Sequence, residues 1–304
     1  MPAQLRIVAV VVTFNRRELV LRLLARLGES TVRPDEVIVV DNASSDGTPQ
    51  AIAAGEWSLP VRVVALPTNT GGAGGFRAGV LAAMDAGADA LWLMDDDGTP
   101  ASDCLATLLP RLRDHDFVGP LVVDEADPQR LVFPIRRPGT ARALSTVAAA
   151  TPDASGLIRD VVIPFNGVLL TRALVEEIGA PRADFFIWGD DVEYLWRAQR
   201  SGARIATVTD ARFTHPSVGD LGTPMIGGQT YNHSPSDLKA YCMARNNWVN
   251  LRTYRGRAHA LAFVLKTIWF YLLTRPDLAR LRLMLGGILA GIRGDFTGHR
   301  RYLA

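Results

Sequence analysis

Four short apolar runs alternate with segments of helical periodicity over the first third of the chain, each run closing on a polar or turn-forming stretch, and few folds accept that order. Leu5 to Val12, Glu36 to Val40, Val61 to Ala65 and Ala90 to Met94 read as strands. Between them, Arg17 to Leu27 sets Leu19, Val20, Leu23, Leu24 and Leu27 at helical spacing, and Ala78 to Ala86 forms a second helical segment. Strand and helix in turn make the βαβ pattern of a parallel sheet, whose strands are apolar on both faces because helices cover both. The strands end at Thr13, Asp41, Leu66 and Asp95, and ligands of open α/β sheets gather beyond such carboxyl ends.

The fourth run ends in Asp95-Asp96-Asp97-Gly98. Three adjacent carboxylates repel, and a packed fold tolerates them where a divalent cation or solvent offsets the charge. Thr13-Phe14-Asn15-Arg16 follows the first strand, offering an aromatic edge for a base and a guanidinium for phosphate. Asp41 follows the second, able to accept from a base imide or a ribose hydroxyl. Asn69-Thr70-Gly71-Gly72-Ala73-Gly74-Gly75-Phe76-Arg77 is a glycine-rich turn opening a helix, where backbone N–H groups and Arg77 suit a phosphate or sugar. Its spacing fits neither the dinucleotide fingerprint nor a Walker loop, which argues against hydride transfer and NTP hydrolysis.

At 304 residues and 48% hydrophobic content the chain can bury a full core. Cys104 and Cys242 offer neither a disulfide framework nor zinc spacing, and Ile7 to Phe14 is too short for a secretory h-region, so a reducing cytoplasm is expected. Beyond the first third, residues 134–160 read as a loop or insert that covers the site. Phe165 to Leu170 then forms a strand, Arg172 to Ile178 a helix, Trp188-Gly189-Asp190-Asp191-Val192-Glu193-Tyr194 the start of a helix through Arg200, and Arg204 to Thr209 a last strand before His215-Pro216. Gly219 to Ser236 is loop-like, and the remainder is mainly helical.

In order, Val-Val-Thr-Phe-Asn-Arg, Val-Val-Asp-Asn-Ala-Ser, Asn-Thr-Gly-Gly-Ala-Gly-Gly-Phe, Asp-Asp-Asp-Gly, Phe-Asn-Gly, Trp-Gly-Asp-Asp-Val-Glu-Tyr and His-Pro resemble family 2 glycosyltransferases of the GT-A fold. The likeness spans about Ile7 to Pro216. The glycine turn, the Asp triplet and Arg130 to Arg137 most resemble actinobacterial galactofuranosyltransferases, in particular the branch that initiates the galactan of arabinogalactan. The resemblance implies an α/β GT-A fold, a Rossmann-like mixed sheet flanked by helices, over 1–237, followed by a mainly helical, basic region over 238–304. It implies an inverting transfer from UDP-galactofuranose to a polyprenyl-diphosphate-linked rhamnosyl-N-acetylglucosamine, with Mn2+ or Mg2+ as cofactor.

Carried onto this sequence, Asp191 would be the base, and Asp95, Asp97 and His215 the metal ligands. Thr13, Phe14, Asn15, Arg16, Asp41, Asn69, Gly71, Gly72, Arg77, Asp95 and Asp96 would line the donor site, and Asn166, Trp188 and Asp190 the acceptor site. Gly189 between Trp188 and Asp190 departs from chain-extending relatives, in which Trp directly precedes the two Asp. A dipole at the helix start would help keep Asp191 ionised. A rhamnosyltransferase using dTDP-rhamnose, or a non-catalytic nucleotide-sugar-binding protein, is the alternative reading.

From Lys239 onward about a dozen Lys and Arg face Asp277 and Asp295 alone, although the whole chain carries only +2. Ala258 to Thr274 is apolar and aromatic but short for a membrane span. A basic amphipathic tail of this kind suits the inner face of the plasma membrane, where a lipid-linked acceptor would be reached. A buried helix pair or a homo-oligomer contact is the alternative; no nucleic-acid partner is expected.

Overall fold

The computed structural model describes residues 5–137, 139, 143–217, 222–225 and 228–303. In chain order the elements are β1 (Ile7–Thr13), α1 (Arg17–Gly28), β2 (Glu36–Asp41), α2 (Thr48–Ala54), β3 (Val61–Ala65), α3 (Gly71–Asp85), β4 (Ala90–Asp95), β5 (Thr99–Pro100), α4 (Cys104–Leu108), β6 (Phe117–Asp124), β7 (Arg130–Arg136), β8 (Ala143–Thr146) and β9 (Leu157–Arg159). They continue with β10 (Asn166–Thr171), α5 (Arg172–Ile178), α6 (Asp190–Ser201), β11 (Ile205–His215), β12 (Thr223–Pro224), β13 (Thr230–Tyr231), α7 (Asp237–Asn250), α8 (Arg257–Trp269) and α9 (Leu278–Arg293).

The main sheet runs β3-β2-β1-β4-β10-β6-β11-β5. Its first four strands are parallel, as the βαβ pattern predicts, and β1 and β4 are apolar on both faces because helices pack on each. β10 then enters antiparallel between β4 and β6, which makes the sheet mixed. The chain leaves β1 for β2 and β3 on one side and returns to β4 on the other, so the topological switch point lies between β1 and β4.

Three elements differ from the sequence reading. The span 134–160 is not one loop: β7 pairs with β6, β8 with β7, and β9 with β11, around a small core of Leu131, Ile135, Leu144 and Ile158. Its weak periodicity reflects short strands near the edge of the sheet. β6, which the sequence reading omitted, is buried along its whole length. α3 starts at Gly71, so the glycine-rich segment is the helix itself rather than a turn before it.

The helix needs those glycines for packing. A Cβ on Gly75 would lie 2.5 Å from Val12, and one on Gly79 would lie 2.2 Å from Val10. Their absence lets α3 settle directly onto β1.

The C-terminal helices build a separate cluster around Tyr231, Met243, Phe270, Tyr271, Met284 and Ile288, against which Trp188 and Trp248 pack. No helix among the described residues is long and apolar enough to cross a membrane.

Candidate active site

The register of the parallel strands sets Thr13 opposite Asp41 and Val12 opposite Asp95, so the expected site residues meet at one sheet edge. Their roles divide. Asp96 turns inward: Oδ2 accepts from Thr13 Oγ1 at 2.7 Å and Oδ1 from Arg16 Nη1 at 2.9 Å. Burial raises its pKa, with Thr13 and Arg16 opposing. Arg16 Nη1 also reaches Asp97 Oδ2 at 2.6 Å. This tie clamps the loop after β1 to the turn after β4.

Asp97 faces β11. Its Oδ1 lies 3.2 Å from His215 Nε2 and has no hydrogen bond of its own. Burial pushes the Asp97 pKa up, but His215 and Arg16 outweigh it and hold the group at about 2. For His215 burial acts downward, and the Asp97 carboxylate together with the Pro216 carbonyl carries the pKa above the usual imidazole range. Nδ1 sits 2.7 Å from Pro216 O, the contact that directs Nε2 toward Asp97. Phe213 helps bring the two together, because its ring occupies the space a Cβ on Gly98 or Gly167 would need, at 2.0 and 2.5 Å.

Asp95 is pushed well above the carboxylate range, first by burial and then by the charges of Asp97, Asp96 and Asp190. Among the described residues no three His, Cys, Asp or Glu groups close into a metal-binding cluster. Asp97 and His215 are therefore together, while Asp95, expected as the third ligand, does not complete a trio with them.

Asp41 is 2% exposed; Oδ2 accepts from the Ser44 N–H at 3.1 Å, and Oδ1 is buried with no partner. Phe14, 40% exposed, stands on the loop that follows β1. Asn15 adopts φ 52° and ties that loop to the one after β2: its N–H donates to Ser44 Oγ at 2.8 Å and its Oδ1 accepts from the Ser45 N–H at 2.7 Å. Asn69 Oδ1 accepts from the Gly71 N–H at 2.8 Å, and buried Asn42 donates to Gly71 O at 2.8 Å while accepting from the Thr70 N–H at 2.9 Å. Asn15 and Asn69 thus shape loops. Gly72 faces open space, with nothing within 4 Å of a would-be Cβ. Arg77 is exposed on α3 and hydrogen-bonds none of these carboxylates.

Asn166 begins β10; its Nδ2 donates to Pro164 O at 3.1 Å, and its buried Oδ1 has no partner. Trp188 has φ 71° and Gly189 φ 82°, a left-handed pair that turns the chain sharply into α6. Asp190 is the first residue of that helix, and Asp191 follows it half-buried. Both pKa values are raised. Burial is the main cause, joined at Asp190 by the Asp191 charge and opposed at Asp191 by backbone N–H groups of the helix start. The helix start acts on Asp191 in the expected direction, toward ionisation, while loss of water acts against it and is the larger effect.

What the sequence reading missed is how this corner is held. α7 carries Arg245, fully buried, and Asn246 beside it. Asn246 Nδ2 donates to the carbonyls of Phe185, Ile187 and Trp188 at 3.0, 3.1 and 2.7 Å, and Asn250 Nδ2 to that of Gly189 at 2.8 Å. Arg245 Nη2 donates to Phe185 O at 2.8 Å and Nη1 to Phe296 O at 3.1 Å. The polar run Arg-Asn-Asn inside an otherwise apolar helix was the available signal. From the other side, the Ala73 N–H donates to Phe186 O at 3.1 Å. The loop before Asp190 is thus fastened by α3 and α7 together.

Residues 8–158 match the family described as Glycosyl transferase family 2. The chain is 38% identical over 282 residues to the Galactofuranosyltransferase GlfT1 of Mycolicibacterium smegmatis, covering 90% of this chain and 92% of that protein. The chain belongs to glycosyl transferase family 2. It is 36% identical over 277 residues to GlfT1 of Mycobacterium tuberculosis, covering 88% and 90% of the two chains. Among solved structures, the mannosyltransferase PcManGT from Pyrobaculum calidifontis, in complex with GDP-Man and Mn2+, aligns with a TM-score of 0.56 at 20% identity, over 99% of this chain and 79% of that one. That likeness supports the GT-A fold. As a family 2 glycosyltransferase the protein is an enzyme, and its carboxylates lie beyond the strand ends at the switch point, the crevice in which open α/β sheets hold ligands.

Proposed function

We propose that the protein is a metal-dependent, inverting galactofuranosyltransferase. It would move galactofuranose from UDP-galactofuranose to a polyprenyl-diphosphate-linked rhamnosyl-N-acetylglucosamine in cell-wall galactan synthesis, working at the cytoplasmic face of the membrane. One observation carries the chemistry: Asp41, the Asp95–Asp97 turn with His215, and the Asp190–Asp191 helix start converge on one sheet edge. The identity to galactofuranosyltransferases over nine-tenths of the chain supports the sugar.

Asp41 Oδ1, buried and unpartnered, suits the imide N–H of a uracil, and Phe14 offers a ring beside it. Asp97 and His215 fit a divalent cation: an imidazole nitrogen and a free carboxylate oxygen face each other, and the other imidazole nitrogen is held by a carbonyl. Carboxylate plus imidazole suits Mn2+, and Asp95 on the same turn would have to draw closer to add a further oxygen. Such a cation, when bound, stabilises charge on the departing diphosphate. Arg16 is placed to share that charge once a donor draws it from Asp97.

In the transfer, the acceptor hydroxyl oxygen bonds to the anomeric carbon as the bond to the UDP oxygen breaks, and the hydroxyl proton passes to Asp191. A raised pKa makes Asp191 the stronger base. Asp190 and Asn166 Oδ1 are acceptors for neighbouring sugar hydroxyls, and Trp188 offers an aromatic face. Exposed Leu261, Leu265, Trp269, Leu272 and Leu273 beside Arg and Lys support docking on an anionic membrane.

The test compares UDP-galactofuranose and dTDP-rhamnose side by side, with Mn2+ and a synthetic lipid-linked acceptor. Transfer from the uridine donor alone is expected. Transfer from the thymidine donor alone, retention of anomeric configuration, or full turnover by a folded Asp191→Asn variant overturns the reading.

A further inference from the structure

Glu193 is buried beside the catalytic corner, yet takes no part in the bond change. It lies in the first turn of α6, is 3% exposed, and is held from two sides. Tyr254 Oη donates to its Oε1 at 2.6 Å, and Arg197 Nη2 donates to its Oε2 at 2.9 Å. Arg197 Nη1 also donates to the carbonyls of Ile178 and Ala180 at 2.6 and 3.2 Å. Tyr254 stands in a π-helical turn, Leu251–Arg255, that continues α7. Asn246, Asn250 and Tyr254 thus follow one another at intervals of four, and all three reach the chain between Phe185 and Glu193. Short charge-assisted bonds of this kind offset the cost of burying a carboxylate.

Helix geometry decides what that carboxylate acts on. Residues three apart on a helix are neighbours, and residues two apart are not. Glu193 therefore adjoins Asp190 rather than Asp191. In agreement, the Glu193 charge is among the causes that raise the Asp190 pKa to about 8, after burial and the Asp191 charge, and is not among those acting on Asp191. The other groups facing these carboxyls are Asp95 from the turn after β4 and Cys242 from α7 at Asp190, with Arg182 and Tyr194 at Glu193. Two adjacent carboxyls that share one proton can hold it on either. Only a proton on Asp190 leaves Asp191 open to accept from the acceptor hydroxyl.

We propose that Glu193 is a positioning residue: its buried charge, pinned by Tyr254 and Arg197, keeps the shared proton on Asp190 and leaves Asp191 as the base. This deepens the proposed function and rests on it for the role of Asp191. Asp190 then meets the acceptor as a carboxylic acid, able to donate one hydrogen bond and accept another. Each transfer ends with a proton on both carboxyls, and one of the two leaves to solvent before the next.

The variant Glu193→Gln removes the charge and keeps an acceptor for Tyr254, while Arg197 retains its two carbonyls. Turnover is measured against pH with Mn2+ and saturating donor and acceptor. A neighbouring charge changes the proton's preference between two carboxyls by about tenfold, so Glu193→Gln should lower kcat about three- to tenfold at pH 7 and leave the donor KM unchanged. The deficit should close as pH rises through the Asp190 value of about 8, because above it neither carboxyl holds a proton and Asp191 is ionised in both proteins. Tyr254→Phe loosens the same corner with the charge kept, and its deficit should be the same at every pH.

Carboxyl carbon-13 NMR of the aspartate-labelled full chain, with Mg2+ and UDP, reads the same placement without turnover. At pH 7 the wild type should show Asp190 protonated and Asp191 ionised, and Glu193→Gln should move the proton toward Asp191. Should Glu193→Gln not fold, the wild-type spectrum still tests the placement. A wild-type proton on Asp191, or a Glu193→Gln deficit that is absent or independent of pH, overturns the proposal. If Asp191→Asn turned over fully while the NMR placement held, the base assignment would fall and the role of Glu193 in placing the proton would stand.

Discussion

Replacing Gly71 by Ala should loosen the catalytic corner without touching a catalytic group. Gly71 has φ 70°, and a Cβ there would lie 2.0 Å from Phe186 O, whereas real Cβ contacts do not fall below 3.0 Å. Either the carbonyl or the helix start must therefore retreat by about 1 Å. A left-handed alanine costs about 1–2 kcal/mol, and overpacking a closed contact about 1–3 kcal/mol, so the variant should lose about 2–5 kcal/mol. For a chain of this size that lowers Tm by about 3–8 °C. The moving carbonyl lies on the loop that leads into Asp190 and Asp191, and a displacement of 1 Å at reacting groups costs about a hundredfold in rate. Thermal unfolding and donor turnover, measured together, test both numbers. Gly72→Ala is the control for stability, since that position has an ordinary φ and open space, and its Tm should be unchanged or slightly higher. If Gly71→Ala melts and turns over like the wild type, the claim that α3 braces the loop through Phe186 is wrong.

Two further outcomes follow from the same corner. Asn246→Leu keeps volume but strips the donors from the carbonyls of Phe185, Ile187 and Trp188; with two N–H groups lost it should cost about 2–5 kcal/mol by urea unfolding and lower kcat more than the donor KM. Asp190→Asn should stabilise the metal-free protein at alkaline pH. Burial and the Asp191 charge raise the Asp190 pKa, so the acid's contribution to stability is complete below the unfolded value of about 4 and is lost as pH rises through the folded value of about 8. The variant's advantage should be absent near pH 4, grow above it and reach on the order of 5 kcal/mol by pH 8. A difference in melting temperature that does not change with pH would refute this.

The parallel half of the sheet was legible because its strands are buried on both faces, and a buried strand announces itself as an unbroken apolar run. Thr13, Asp41 and the Asp triplet could be placed at one edge for the same reason, since parallel strands end together. β8 and β9 escaped because strands of four and three residues are too short to show a period, and β7 because its seven residues do not alternate between buried and exposed. Gly71 and Gly72 are the glycines expected to line the donor site, whereas Gly75 and Gly79 of the same helix meet Val12 and Val10; a Gly that lets a helix approach a sheet and one that lets a ligand approach a helix look alike in sequence. The run Arg245-Asn246-Asn247 marks a polar spot on α7, but what it holds is illegible for a deeper reason. Their partners on that loop are main-chain carbonyls 58 to 61 positions away, and carbonyls leave no mark on a sequence.

The buried guanidinium of Arg245 ties residues 296–299 to the loop that leads into Asp190. Arg245 joins Phe185 O to Phe296 O and His299, and His299 in turn stacks on Phe186 with ring centroids 4.5 Å apart. A loop at residues 185–189 is thus finished by residues more than a hundred positions further along the chain. A folding chain would hold a nearly complete sheet before this loop is braced, and a cut between α9 and Phe296 would free the loop while leaving the sheet intact.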